Sequence, residues 1–272
     1  MNRLRSLGLL LLFAVIFAVF ITFAFAVVGR ARIETSSALM LLGALAIGWL
    51  LLIAVERRPA SELGLAWTSR TPRDWLYGLL WPCVALGLVV LLFVLVGQLQ
   101  YRSDDGTLAG LVLGTAQLLV VLAIPAAAEE ALFRGYPFQK LVEAIGPIAA
   151  TVLASGGFAI AHRHNPGVNA FALINIFLAG VMLSVAYLRT RSLWLPIALH
   201  LGWNWQMAGP LDLPVSGLEL FDAPLYEPQT RGADWLTGGG FGPEGGLAGL
   251  IALLLITAAV WKMTEKRIQA HD

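Results

Sequence analysis

Seven residues in three short stretches of this sequence carry most of what could do chemistry. Glu129, Glu130 and Arg134 stand in AAAEEALFRGY, Phe158 and His162 in FAIAH, and His200 and Asn204 in HLGWN. Glu130 and Arg134, Phe158 and His162, and His200 and Asn204 are each four apart, which puts each pair on one face of a helix. Glu130 can pair with Arg134, Phe158 can stack one turn before His162, and His200 and Asn204 can point into one cavity. Carboxylate, imidazole and amide together suit hydrolysis of an amide bond by activated water. The base must hold a pKa near the working pH, which burial and neighbouring charges tune. Donors aimed at the tetrahedral oxyanion are worth about 3–4 kcal/mol in a low-dielectric site, and imidazole and carboxamide can both donate.

Taken singly, each group has a plainer reading: a solvated helix end for Glu129 and Glu130, a core or interfacial imidazole for either histidine. The surroundings argue for a shared site. The 272 residues are 58% hydrophobic and 13% charged, with mean hydropathy +0.77, whereas soluble domains are about a quarter charged. The chain therefore reads as an integral membrane protein, in which ionisable groups at depth cost several kcal/mol unless paired or hydrated. A net charge of +1 gives no field that would attract nucleic acid. Cys83 lies in an apolar run and reads as a small buried residue.

A membrane-spanning helix takes roughly 20 apolar residues. Eight segments qualify, at 7–29, 37–55, 74–98, 108–128, 147–162, 168–188, 193–208 and 246–263, the fifth and seventh being short. The first is longer than a signal peptide's apolar region and reads as a retained span. With both termini cytoplasmic, only Arg30, Arg32, Arg102, Arg163 and Arg231 of the 18 lysines and arginines fall outside, as the positive-inside rule favours. The basic stretch RRPASELGLAWTSRTPRDW is expected at the cytoplasmic headgroups, anchored by Trp67 and Trp75. The long segment 209–245, with its TGGGFGPEGG, is expected to be a mobile external loop.

The groups can meet. If Ile145 and Gly146 turn the chain between the fourth and fifth helices, Glu129 and His162 each stand sixteen residues from the turn, about 24 Å at 1.5 Å per residue. An antiparallel hairpin then sets them at one height. Several chemistries remain open. Glu129, His162 and His200 could hold Zn²⁺ with water as fourth ligand, although HExxH is absent and His200 would have to leave Asn204. No cofactor is favoured, and Zn²⁺ is the alternative. A transporter or proton relay would string polar residues along the depth of several helices, whereas here they gather at one level. A non-catalytic scaffold would keep the site as a polar plug for a partner helix or lipid. Ser155, Ser184 and Ser192 lack a base at helical spacing, which argues against a serine protease. His164 and His271 have no evident partners.

In this order and on these helices, the three groups resemble the CPBP family of intramembrane endopeptidases, which includes CAAX prenyl proteases of the Rce1 type and bacterial Abi proteins. The family pattern EExxxR, FxxxH and HxxxN stands here as Glu129, Glu130 and Arg134; Phe158 and His162; His200 and Asn204. Weaker likeness lies in FRG, SLWLPIALH and GPEGG. The resemblance implies an all-α polytopic membrane protein of about eight helices with a catalytic cavity among helices 4 to 7, expected to open toward the cytoplasm and sideways to lipid. It divides the chain into N-terminal helices (1–107), a catalytic core (108–208), and an outer loop with the final helix (209–272). It implies Glu129 as general base, His162 holding and activating the water, and His200 with Asn204 binding the oxyanion. Glu130, Arg134 and Phe158 are supporting residues. The implied substrates are membrane-associated peptides or protein tails, prenylated or bacteriocin-like, with lipid as the other partner. The implied location is the inner membrane of a bacterium.

Overall fold

The computed structural model describes residues 3–29 and 33–268. Arg30, Arg32 and His271 lie outside the described residues. The chain runs through α1 (Arg3–Val28), α2 (Ile33–Leu50), α3 (Thr71–Leu95), β1 (Leu99–Ser103), α4 (Leu108–Phe133), α5 (Tyr136–Ile145), α6 (Pro147–Ala161), α7 (Ala170–Thr190), α8 (Trp194–Ala208), β2 (Tyr226–Thr230), α9 (Asp234–Thr237) and α10 (Leu247–Ile268). Among the described residues, six stretches are long and apolar enough to cross a membrane: Arg3–Val28, Glu34–Glu56, Thr71–Leu95, Leu108–Ile145, Ala170–Thr190 and Leu247–Thr264. Helices α6 and α8, of 15 residues each, reach only about 22 Å. All eight segments expected to span are helical in the structure.

Local chemistry sets the helix ends. Thr107 and Asn169 cap α4 and α7 by accepting the backbone N–H of Gly110 and Ala172. Gly146, at φ 85°, turns the chain, and Pro147 opens α6 directly after it. The fourth segment differs from expectation. It stays helical through the acidic pair to Phe133, then breaks at Arg134 and Gly135 before α5 begins as a separate amphipathic helix. Gly135 is required there because a Cβ would run into the Ala131 carbonyl oxygen. Lys140 of α5 is fully buried between Glu56 at 2.7 Å and Glu143 at 2.7 Å. Arg58 also reaches Glu143, at 2.9 Å, so ion pairs clamp α5 to the helical turn Leu51–Glu56 that follows α2 and to Arg58 just beyond it.

Small residues bring α3 and α8 into direct backbone contact. A Cβ at Gly202 would lie 2.9 Å from the Gly78 carbonyl oxygen and from Leu79 Cα, and one at Gly78 would meet the Ala198 side chain. In lipid, where apolar side chains gain little from association, such close packing is a main source of helix affinity. Helix α8 is thereby fixed along its length, with Leu195, Leu199 and Leu201 in the core.

The outer segment corrects the expectation of a mobile loop. Strands β1 and β2 pair antiparallel, Leu99 opposite Thr230, so the fold is helical with one small two-stranded sheet. Tyr101 donates to the Leu211 carbonyl at 2.9 Å and Tyr226 to that of Pro210 at 2.7 Å, while their rings meet edge to face at 5.4 Å. The glycines of TGGGFGPEGG serve tight turns. Gly238, Gly239 and Gly242 all have positive φ, and Phe241 between them is 1% exposed.

Candidate active site

Four helices bring the three groups together. Glu129 and Glu130 lie on the last turn of α4, just before its break. His162 caps the C-terminus of α6, and His200 and Asn204 lie along α8. Helix α7 contributes the Gly180 carbonyl, which accepts from Arg134 Nη2 at 3.1 Å.

The supporting layer is an ion pair sealed from water. Glu130 and Arg134 both have fully buried side chains and meet at 3.0 Å, Arg134 Nη1 donating to Glu130 Oε1. The guanidinium sits 4.6 Å from the centre of the Phe158 ring, a cation–π contact. Phe158 in turn packs on His162 at 4.7 Å and meets His200 edge-on at 6.0 Å.

The same Glu130 Oε1 is 2.9 Å from His200 Nδ1. A carboxylate paired with arginine accepts, so Nδ1 carries the proton and neutral His200 keeps its lone pair on Nε2. His162 Nδ1 lies 2.8 Å from the Phe158 carbonyl oxygen, which can only accept, so His162 has the same tautomer. Both Nε2 atoms face Glu129 Oε2, at 4.0 Å from His162 and 3.9 Å from His200. This oxygen is buried and has no hydrogen-bond partner among the described residues, although the Glu129 side chain as a whole is 28% exposed. With both imidazoles neutral, three acceptor atoms converge on one point.

That point lies in a cavity of about 290 Å³ lined by Glu129, Phe158, His162, His200 and Asn204. Residues of α4, α6, α7 and α8 line it. Met40 of α2, Leu253 of α10 and residues of the outer segment complete the wall. Phe133 and Phe158 line the cavity toward the end of the bundle where Ser6 bonds Glu143 and Arg189 bonds Thr264. Val215, Ser216, Leu218 and Glu244 roof the opposite side.

Among the described residues, no group of three or more His, Cys, Asp and Glu side chains is spaced to hold a metal ion. The 3.9 and 4.0 Å separations of Glu129 from the two imidazoles exceed the roughly 3.3 Å between ligand atoms implied by zinc bonds of about 2.0–2.1 Å in tetrahedral geometry.

Several lining residues escaped the sequence reading, among them Asn165, Trp203, Ser216 and Glu244. Glu244 is the acid of GPEGG, a motif visible in the sequence whose glycines pointed to mobility instead. Residues 111–206, which contain all seven residues of the three groups, match the family described as Rce1-like, Type II CAAX prenyl endopeptidase Rce1-like. Comparison with the curated proteins and with the solved structures gave no match.

Proposed function

Starting from the Rce1-like domain over residues 111–206, we propose that this integral membrane protein hydrolyses peptide bonds with water activated by Glu129. The observation that carries the proposal is the convergence of Glu129 Oε2 and two imidazole Nε2 atoms, separated by 4.0 and 3.9 Å, beside a cavity. Three acceptors around one point suit a molecule with two protons to give. Water donating to Glu129 and His162 turns its lone pair toward a carbonyl carbon held in the cavity. Glu129 takes the proton as the oxygen attacks and returns it to the leaving amine, the two halves of general base and acid catalysis.

The oxyanion needs donors. Asn204 donates from its amide nitrogen in every state, whereas His200 donates from Nε2 only when both its nitrogens carry protons. Glu130 and Arg134 act behind His200, fixing its tautomer and ring plane as a carboxylate behind a catalytic imidazole does. Substrates in this proposal are peptides or protein tails already held at the bilayer, prenylated C-terminal tails among them, reaching the site sideways past Met40 and Ala161. The termini are cytoplasmic by the distribution of lysine and arginine, and the roofed side faces outward.

A cleavage assay in liposomes tests this with lipidated and unlipidated membrane peptides, wild type beside Glu129→Gln, each with and without chelator. The expected result is cleavage by wild type, none by the variant at unchanged helical content, and no effect of chelator. Normal turnover by Glu129→Gln would remove the glutamate from its role. Chelator inhibition reversed by Zn²⁺ would transfer the chemistry to a metal.

A further inference from the structure

Glu244 is a buried carboxylate, 7% exposed, that the proposed chemistry does not use, yet it lines the same cavity as Glu129 and His162. Its Oε1 accepts from Trp203 Nε1 at 2.7 Å. Its Oε2 accepts from the backbone N–H of Ser216 at 2.8 Å and from Ser216 Oγ at 2.6 Å. One side chain thus joins α8, at the residue beside Asn204, to the outer segment.

What it holds there is a minimal hairpin. Val215 and Leu218 exchange both backbone hydrogen bonds at 2.9 Å, and between them Ser216 and Gly217 have φ of 49° and 81°. Two positive φ values in a two-residue turn are the type I′ pattern. Ser216 holds a conformation that costs a residue with a side chain, and two of the three bonds to Glu244 fall on this residue. Two further contacts fix the tip: Asn165 Nδ2 donates to the Ser216 carbonyl at 3.0 Å, and the Gly217 N–H to that of Phe241 at 3.0 Å. Glu244 is itself anchored, because buried Asn175 donates to its carbonyl at 2.8 Å and to that of Gly246 at 2.9 Å.

We propose that Glu244 is a positioning residue: it latches the Val215–Leu218 hairpin to Trp203 and so closes the site cavity on the side away from the chain ends. The latch rests on the peptidase reading only for its effect on turnover; the closure itself is a property of the fold. A closed roof keeps bulk water from the developing oxyanion and leaves the sideways path for substrate. It also holds Trp203, and with it the stretch of α8 that presents Asn204. Hydrogen bonds to a charged, buried acceptor are the strong ones, so losing all three at once releases the tip.

The test uses thiol accessibility in the full-length protein in liposomes. Cys83→Ser removes the chain's single cysteine, and a reporter is then placed at Met182→Cys, 2% exposed and lining the cavity. A second reporter at Leu52→Cys, buried in a different cluster, registers general loosening. The probe is a bulky water-soluble maleimide. Glu244→Ala is expected to speed labelling at Met182→Cys about tenfold and leave Leu52→Cys unchanged. Glu244→Gln, which keeps one acceptor oxygen, is expected to fall between. On the peptidase reading, Glu244→Ala also lowers kcat about tenfold with little change in KM. An unchanged rate at Met182→Cys, or an equal rise at both reporters, overturns the latch. Opening at Met182→Cys in a protein that cleaves nothing leaves the latch standing and sinks the peptidase reading instead.

Discussion

At the scale of single residues, the contacts at Nδ1 of His162 and His200 fix their tautomers when the rings are neutral. Two adjacent glutamates take different parts because one is sealed and the other is reached from the cavity. Glu130 is spent on Arg134 and His200 in a fully buried layer, where removing one partner of an ion pair typically costs about 3–5 kcal/mol. Glu129 is left with a buried oxygen that no group among the described residues satisfies. Of His200 and Asn204, Asn204 is the one that donates in every protonation state, and the proposal places most of the oxyanion stabilisation on it. Asn204→Ala should therefore lower kcat by about a hundredfold or more, with KM little changed, in steady-state cleavage of a membrane peptide. An unchanged kcat would sink that assignment.

At the scale of elements, the site depends on where α8 lies, and α8 lies where the α3 contact puts it. Gly202 stands two residues before Asn204 and two after His200, with the Gly78 carbonyl 2.9 Å from where its Cβ would be. Gly202→Val must push the helices apart. Overpacking of this kind costs about 1–3 kcal/mol and shifts both imidazole and amide from the cavity. The expected outcome is a lower Tm in detergent together with loss of cleavage; retention of both would mean that α8 is positioned by other contacts. The breaks matter as much as the helices. Because α4 ends at Phe133 and α5 sets off separately, Lys140 is clamped to Glu56 while Arg134, one turn after Glu130, stays paired with it.

At the scale of the whole molecule, the two ends of the bundle differ in character. The end bearing the chain termini is tied by ion pairs among Glu56, Arg58, Lys140 and Glu143. The other end is a folded cap rich in acids and turns, and it responds to pH through Asp212. Burial, with the nearby carboxylates of Asp222, Glu227 and Glu219 adding to it against the Ala223 N–H, pushes Asp212 up to about 6. The ordinary value is about 3.9, so the folded cap holds this proton more tightly than the unfolded chain. The stabilisation is complete below about pH 4 and is lost as pH rises through about 6. Asp212→Asn lacks this titration. Its Tm relative to wild type should therefore rise between pH 4 and pH 7 in a thermal melt; a constant difference would show that Asp212 does not titrate in that window.

Composition and hydropathy by themselves determined that this is a helical membrane protein, because apolar runs of this length have no stable alternative in water or lipid. Spacing by four determined that Glu130 faces Arg134 and that Phe158 stacks on His162, since helical period is a local property. The tertiary structure alone decided what depends on contacts distant in sequence. It put His200 on Glu130 across 70 residues, the break after Phe133 where a hairpin arm was expected, and a roof where the glycines suggested a mobile loop. A glycine-rich segment reads as flexible when only its own backbone freedom is considered. Here the same freedom lets the chain turn tightly enough to bury Phe241 and bring Glu244 against Trp203, and no local pattern encodes which of the two will happen.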